Sequence, residues 1–274
     1  MIYDLHVHSN KSDGKYDRYD LIKKMIDSNF EYASFTDHNY ISNLNIYNSF
    51  IERQTKNKLK LINGIEFDVS NFKDMHILGY DIKNIDFIAS VLENIDKENI
   101  EICKRLIINL REKYKFDINL SDLLNENRQI SKGSIRDILV EKGYAENHLI
   151  AGNLYTGKNS YKYEKTKSLS YEEIINLIKE SGGLSFLAHP STLNLSDEEL
   201  FKLVKNLKII GLDGIEVLNT SKTTNKQFNF YRDISSKFDL LESCGSDFHN
   251  NIYTQKLGIE NEISKKLIYK IEGR

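Results

Sequence analysis

No apolar run in this 274-residue chain approaches the roughly 20 residues needed to span a bilayer. The opening MIYDLHVHS lacks the basic-then-apolar layout of a secretory leader, so a cytoplasmic location and no membrane partner are expected. Cysteine is scarce. Cys103 and Cys244 lie far apart and match no metal or redox spacing, which reads as two reduced thiols. A dominant charge is also missing: 38 Lys and Arg face 40 Asp and Glu, for a formal net charge of −2. Such a chain has no basic field to hold long duplex nucleic acid, although a few local groups could still grip a short phosphorylated ligand. Proline occurs once, at Pro190, and no internal repeat or low-complexity tract is present. What is present is a 40 % apolar content, enough for the core of one large domain or one domain with a smaller insertion.

Short apolar runs at 2–7, 32–36, 59–67, 75–80, 183–188, 211–217 and 240–246 are bounded by polar residues or glycine. Their length and their β-branched and aromatic content predict buried strands. Between them lie stretches with helical spacing. Leu21, Ile22, Met25 and Ile26 share one face, as do Ile174, Ile175, Leu177 and Ile178, with Ser170 and Ser196 placed as N-caps and Gly182 closing a helix. Strands alternating with helices imply βα units around a parallel sheet or barrel. From 86 to 165 the alternation stops. A long amphipathic helix from Phe87 to Tyr114 and shorter helical pieces predict a helical insertion, leaving 1–85 and 166–274 as the barrel.

Six of the seven histidines fall at or near strand ends, and only His148 lies in the insertion. His6 and His8 end the first run, with Asp13 in the loop; Asp37 and His38 end the second and Glu66 the third. His76 lies in the fourth, His189 ends the fifth, and Asp247 and His249 end the seventh. Strand ends of a parallel barrel converge on one mouth, and imidazoles with carboxylates there point to metal. Residues i and i+2 of a strand face the same side, so His6 and His8 can grip one ion together. Each motif alone is weak. A lone histidine is commonly structural, and Asp is frequent in turns and helix caps. Asp37 reads equally as an N-cap or as an orienter of His38, and Glu216 as a solvent-facing strand end. The weight lies in the joint pattern. Nine candidate ligands without thiolate suggest two or three divalent ions, Mn foremost with Fe or Zn as alternatives.

In this order the motifs DLHVH, TDH, GIEF, DMHILGY, AHP and GSDFH resemble the PHP superfamily of polymerase and histidinol phosphatase domains. The resemblance implies a distorted (β/α)7 barrel whose helical insertion caps the active site. It also implies a trinuclear centre. His6, His8, Glu66 and Asp247 would hold the first metal, Asp13, His38 and His249 the second, and Glu66, His76 and His189 the third. Asp13, Asp247 and His249 are the candidate catalytic groups. Asp13 followed by Gly14 is similar to the branch of nucleoside 3′,5′-bisphosphate phosphatases and 5′-to-3′ exoribonucleases of the RNase AM type. Where that branch carries a phosphate-binding arginine in the insertion, this chain has Lys132, with Arg136 one turn later. Lysine keeps the charge and loses the bidentate fork. The expected activity is metal-dependent hydrolysis of phosphate esters in a nucleoside bisphosphate or at the 5′ end of a short RNA. The alternatives are a phosphatase of a small metabolite such as histidinol phosphate, an amidohydrolase, or an inactive scaffold.

Overall fold

The structure, a computed structural model, describes residues 1–54, 59–124, 130–249 and 256–273. Its elements run β1 (Ile2–Val7), α1 (Arg18–Asp27), β2 (Tyr32–Phe35), α2 (Asn48–Arg53), β3 (Lys60–Asp68) and β4 (His76–Tyr80). Helices α3 (Ile85–Tyr114), α4 (Leu120–Leu124), α5 (Lys132–Glu141), α6 (His148–Ala151) and α7 (Tyr171–Glu180) follow. The chain then continues through β5 (Leu184–Leu187), α8 (Asp197–Ile210), β6 (Gly214–Asn219), α9 (Asn225–Lys237), β7 (Leu241–Gly245), β8 (Ile259–Glu260) and α10 (Lys265–Ile271). The helix ends follow local chemistry. Ser170 with Glu173, and Ser196 with Glu199, form reciprocal capping boxes that satisfy otherwise orphaned N–H groups. Gly182, with φ of +70°, takes the left-handed turn that closes α7.

All the predicted strands form, and their order in the sheet is β7-β6-β5-β4-β3-β2-β1-β8. The distorted α/β barrel expected from the sequence is present, and its sheet is mixed: β4 runs antiparallel to both β3 and β5. The cause is connection length. A parallel crossover needs about a dozen residues or more, and the link between Asp68 and His76 is shorter than that. Reversal brings the first residue of β4 level with the last of β3, so His76 pairs in register with Asp68. A strand beginning therefore joins the edge where the parallel strands end. The short β8, which the sequence pattern does not reveal, pairs antiparallel with β1.

The sheet nearly closes on itself where β1 meets the end of β7. His8 N–H donates to the Phe248 carbonyl (3.0 Å), and Phe248 N–H donates to the His6 carbonyl (3.3 Å). Around this barrel, α1 packs Leu21, Ile22 and Met25 against Val7, Ala33 and Phe35, all fully buried. Residues Met1–Ser90 and Leu169–Arg274 form one compact unit, and Val91–Ser168 forms a second. The second has its own apolar core, built on Cys103, Leu106, Leu110, Ile135, Ile138 and Leu139. Among the described residues no helix is long and apolar enough to cross a membrane.

The β1–β7 seam leaves no room for a side chain at Gly245. A Cβ there would lie 2.1 Å from His6 Cβ and 2.8 Å from the His6 nitrogen. Gly245→Ala should therefore destabilise the fold by about 1–3 kcal/mol, seen as a lower urea midpoint. An unchanged midpoint would show that β1 and β7 do not approach this closely.

Candidate metal centre

Glu66 stands at the middle of the mouth. It comes from the buried end of β3 and is fully inaccessible to solvent. One carboxylate oxygen, Oε2, lies 3.2 Å from His6 Nε2, 3.1 Å from His8 Nε2 and 3.5 Å from His38 Nε2. The other, Oε1, lies 2.9 Å from both His76 Nδ1 and His189 Nε2. Asp247 approaches from beyond β7, with Oδ1 3.4 Å from His6 Nε2 and 3.2 Å from His8 Nε2. Asp13 extends the cluster outward: its Oδ1 is 3.1 Å from His249 Nε2 and 3.5 Å from His8 Nδ1. All nine residues expected from the sequence thus converge on one edge of the barrel. Asp247 and His189 reach it from left-handed backbone, with φ of +54° and +21°, the kind of local strain that collects at functional sites.

These donors fall into overlapping groups that suit cations: His6, His8, Glu66 and Asp247; His8, Asp13, His38 and His249; Glu66, His76 and His189; and His38, Asp68 and His76. Two ligand atoms each about 2.1 Å from a metal, at the angles of tetrahedral or octahedral sites, stand about 3.0–3.4 Å apart. The separations within the first group match that spacing. In addition, the buried His8 Nε2 has no aligned hydrogen-bond partner, although two carboxylate oxygens surround it. A nitrogen flanked by anions but aimed between them is placed as a ligand would be. The donor set fits divalent metal.

The nitrogens facing away from the centre are also engaged. His6 Nδ1 lies 2.9 Å from Glu216 Oε1, His189 Nδ1 is 3.0 Å from Thr192 Oγ1, and His249 Nδ1 is 2.8 Å from the Asp247 carbonyl. Such acceptors keep the proton on the outer nitrogen and turn the inner lone pair toward the centre. Electrostatics agree. Burial alone would push the Glu66 carboxyl up, but the His6 cation and hydrogen bonds from His189, His6 and His76 hold it well below the usual carboxylate range. For His6 burial acts downward, and the charges of Glu66, Glu216 and Asp247 outweigh it, holding the imidazole well above its ordinary value. His8, His38 and His249 are raised as well, their carboxylate partners overcoming desolvation. Without metal, then, the carboxylates of the mouth favour the protonated form of His6, His8, His38 and His249.

Two sequence readings are corrected. Asp37 neither orients His38 nor caps a helix. Its buried carboxylate accepts from Ser9 N–H (2.7 Å), Ser9 Oγ (2.7 Å) and Ser12 Oγ (2.9 Å), and pairs with Arg18 (2.7 Å). It therefore shapes the loop that carries His8 and Asp13. Glu216 is not solvent-facing: it is fully buried, and its Oε2 also accepts from His189 N–H at 2.7 Å. The sequence pattern does not reveal two further residues of the mouth. Asp68, at the end of β3, has Oδ1 3.0 Å from His38 Nδ1. The Lys222 ammonium pairs with Asp247 Oδ2. Lys132 and Arg136 lie in the helical unit. There the Lys132 ammonium donates to the Glu164 carbonyl and sits 4.2 Å from the Tyr163 ring centre, while Arg136 Nε donates to Thr156 Oγ1 (2.7 Å).

Comparison with known proteins points the same way. A family model described as PHP domain matches residues 4–207. A 5′-3′ exoribonuclease Rnm of Escherichia coli is 27 % identical, with 91 % of this chain and 85 % of that protein covered. A 3′,5′-nucleoside bisphosphate phosphatase of Chromobacterium violaceum is 24 % identical, covering 90 % and 86 % respectively. A crystal structure from Bifidobacterium adolescentis, provisionally assigned as a metal-dependent phosphoesterase, superposes with a TM-score of 0.68 at 25 % identity, covering 99 % and 98 %.

A protonated imidazole cannot ligate, so metal binding must expel protons from the raised histidines. The metal-free protein should release protons on taking up Mn²⁺ or Zn²⁺ at pH 7, measurable by calorimetry in two buffers. Its affinity should keep rising above the ordinary imidazole value of about 6.5. Affinity that levels off there with no proton release would contradict this arrangement. Glu66→Gln should deplete bound metal, checked by elemental analysis.

Proposed function

The chain belongs to the PHP domain family, and from that footing we propose that it is a metal-dependent phosphoesterase acting on nucleotide phosphate esters. The substrate class we assign is a nucleoside 3′,5′-bisphosphate or the 5′ end of a short RNA. One observation carries the reading: a single buried carboxylate, Glu66, gathers the imidazoles of His6, His8, His38, His76 and His189. A carboxylate amid so many imidazoles is suited to bridging cations. The named activities of the E. coli and C. violaceum relatives support the choice of substrate.

Two or three divalent ions, Mn foremost, would be held by His6, His8, Asp13, His38, Glu66, His76, His189, Asp247 and His249. When bound, they supply a water of lowered pKa and positive charge for phosphoryl oxygens. The protein contributes the rest. Asp247 and His249 flank the innermost donors, while Asp13 is half-exposed and so reaches toward an incoming ester. These three are assigned to the reacting atoms, where a proton must reach the leaving oxygen. Lys222, already beside Asp247, adds a cation that attracts phosphate. Lys132 and Arg136 of the helical unit are assigned to a second phosphate or to the nucleotide. The buried, unpaired thiols of Cys103 and Cys244 suit a reducing compartment, and the reading places the protein in the cytoplasm.

The test offers Mn-loaded protein a nucleoside 3′,5′-bisphosphate, a short 5′-phosphorylated RNA and histidinol phosphate side by side. Turnover of a nucleotide substrate, abolished in His8→Ala, is expected. Turnover of histidinol phosphate alone would overturn the substrate class, and turnover of none would overturn phosphoesterase activity toward these substrates. Lys132→Ala should raise KM about tenfold, the order of one charge-assisted hydrogen bond, with metal content unchanged. Unaltered kinetics would remove Lys132 from the substrate site.

A further inference from the structure

We infer that Asp68 is a shared positioning residue that sets His38 and His76 together as ligands of two different metal positions. The inference rests on the metal-binding reading above. His38 aims Nε2 at Glu66 Oε2 (3.5 Å), and His76 aims Nδ1 at Glu66 Oε1 (2.9 Å). Each imidazole therefore has its opposite nitrogen pointing outward. Both outward nitrogens face the same atom: Asp68 Oδ1 lies 3.0 Å from His38 Nδ1 and 3.5 Å from His76 Nε2. A neutral imidazole that ligates through one nitrogen carries its proton on the other, and that proton needs an acceptor. In the structure these are ion-pair contacts, and the buried His38 Nδ1 has no aligned hydrogen bond. Asp68 Oδ1 is the one carboxylate oxygen placed to accept from both rings once each ring ligates through its inner nitrogen.

The carboxylate is itself held in place. Asn39, next to His38 in sequence, donates from Nδ2 to Asp68 Oδ2 (2.8 Å) and accepts at Oδ1 from the Asp68 N–H (3.2 Å). Asn39 sits in left-handed backbone, with φ of +47°, and its own N–H donates to the Glu66 carbonyl (2.8 Å). The turn after β2 is thereby fixed to the end of β3, and Oδ1 is left for the two rings. The reversal of β4 completes the geometry, since it sets His76 directly opposite Asp68 in the sheet.

His38, Asp68 and His76 could instead be taken as a further metal site. That would require each ring to ligate through both nitrogens at once, as an imidazolate, because the inner nitrogens face the Glu66 cluster. A carboxylate accepting two N–H groups requires no such deprotonation.

The consequence is selective. Asp68 pairs with His38 and His76, and its link to the innermost group is only the longer-range repulsion from Glu66. The innermost metal position should therefore be little affected by it, while the positions using His38 and His76 should both weaken. The experiment measures metal stoichiometry and chelator-competition affinity for wild type, Asp68→Asn and Asp68→Ala, with thermal midpoints as a check on folding. We expect the tightest class of bound metal to be unchanged. The weaker classes should lose about 10- to 100-fold in affinity, with the midpoint of the metal-free proteins unaltered. Affinities equal to wild type in every class would overturn the role. Loss of a single ion with the remaining classes unaffected would make Asp68 a ligand of its own site instead. A wild-type protein that binds no divalent metal would refute the metal-centre reading itself, an outcome distinct from either.

Discussion

The structure is organised around a buried negative charge. Glu66 is shut away from water at the end of a central strand, where an unpaired carboxylate would cost several kcal/mol. It is tolerated because imidazoles from strands and loops far apart in sequence close around it. That requirement dictates much else: the buried faces of β1 and β3, the left-handed turn at Asp247, and the buried Arg18–Asp37 pair that holds the loop after β1. The charge of Glu66 in turn favours the protonated form of His6, His8 and His38. Divalent ions would take over the same duty.

Much of this was legible in the sequence because the donors sit where apolar runs stop. A run such as IYDLHV announces a strand, and a histidine at its end can hardly be elsewhere than at the barrel rim. The direction of β4 was not in the apolar pattern at all. It was in the length of the link from Asp68 to His76, a datum available from the sequence but less conspicuous than the histidine it places. Glu216 left a signal of the same kind. Gly-Ile-Glu recurs at 64–66 and 214–216, each time inside an apolar strand, so a charge in that setting must be buried and partnered. Asp37 offered no local clue, because its partner Arg18 and its loop contacts come from another part of the chain. Asp68 was hidden for a similar reason: only the reversed register of β4 brings it opposite His76.

The acceptors behind the imidazoles differ in kind. His6 is backed by the buried carboxylate of Glu216, His189 by a hydroxyl, and His249 by a main-chain carbonyl. A carboxylate makes the ring behind it a stronger donor than a neutral acceptor does. Burial separates the positions more clearly. His6 is fully enclosed, whereas the His38 and His76 side chains, with the Asp68 carboxylate behind them, are 23 % and 27 % exposed. The deepest position thus lies in drier surroundings, and the outer ones use ligands that water can reach. Ions at the rim should exchange with solvent more readily than the ion at the bottom.

The seam between β1 and β7 has a consequence for how the fold is kept. His6 and His8 lie on one side of it and Asp247 on the other, so a cation bound to all three is a clasp across the line where the barrel closes. Closing a loop between residue 6 and residue 247 is entropically expensive and belongs late in folding. An ion that binds only the closed form stabilises it in proportion to the logarithm of its free concentration. The lifetime of the closed barrel is then governed in part by metal supply. Where that metal is short, β1 and β7 would part more often and expose their edges, so the loss would reach the fold as well as the chemistry.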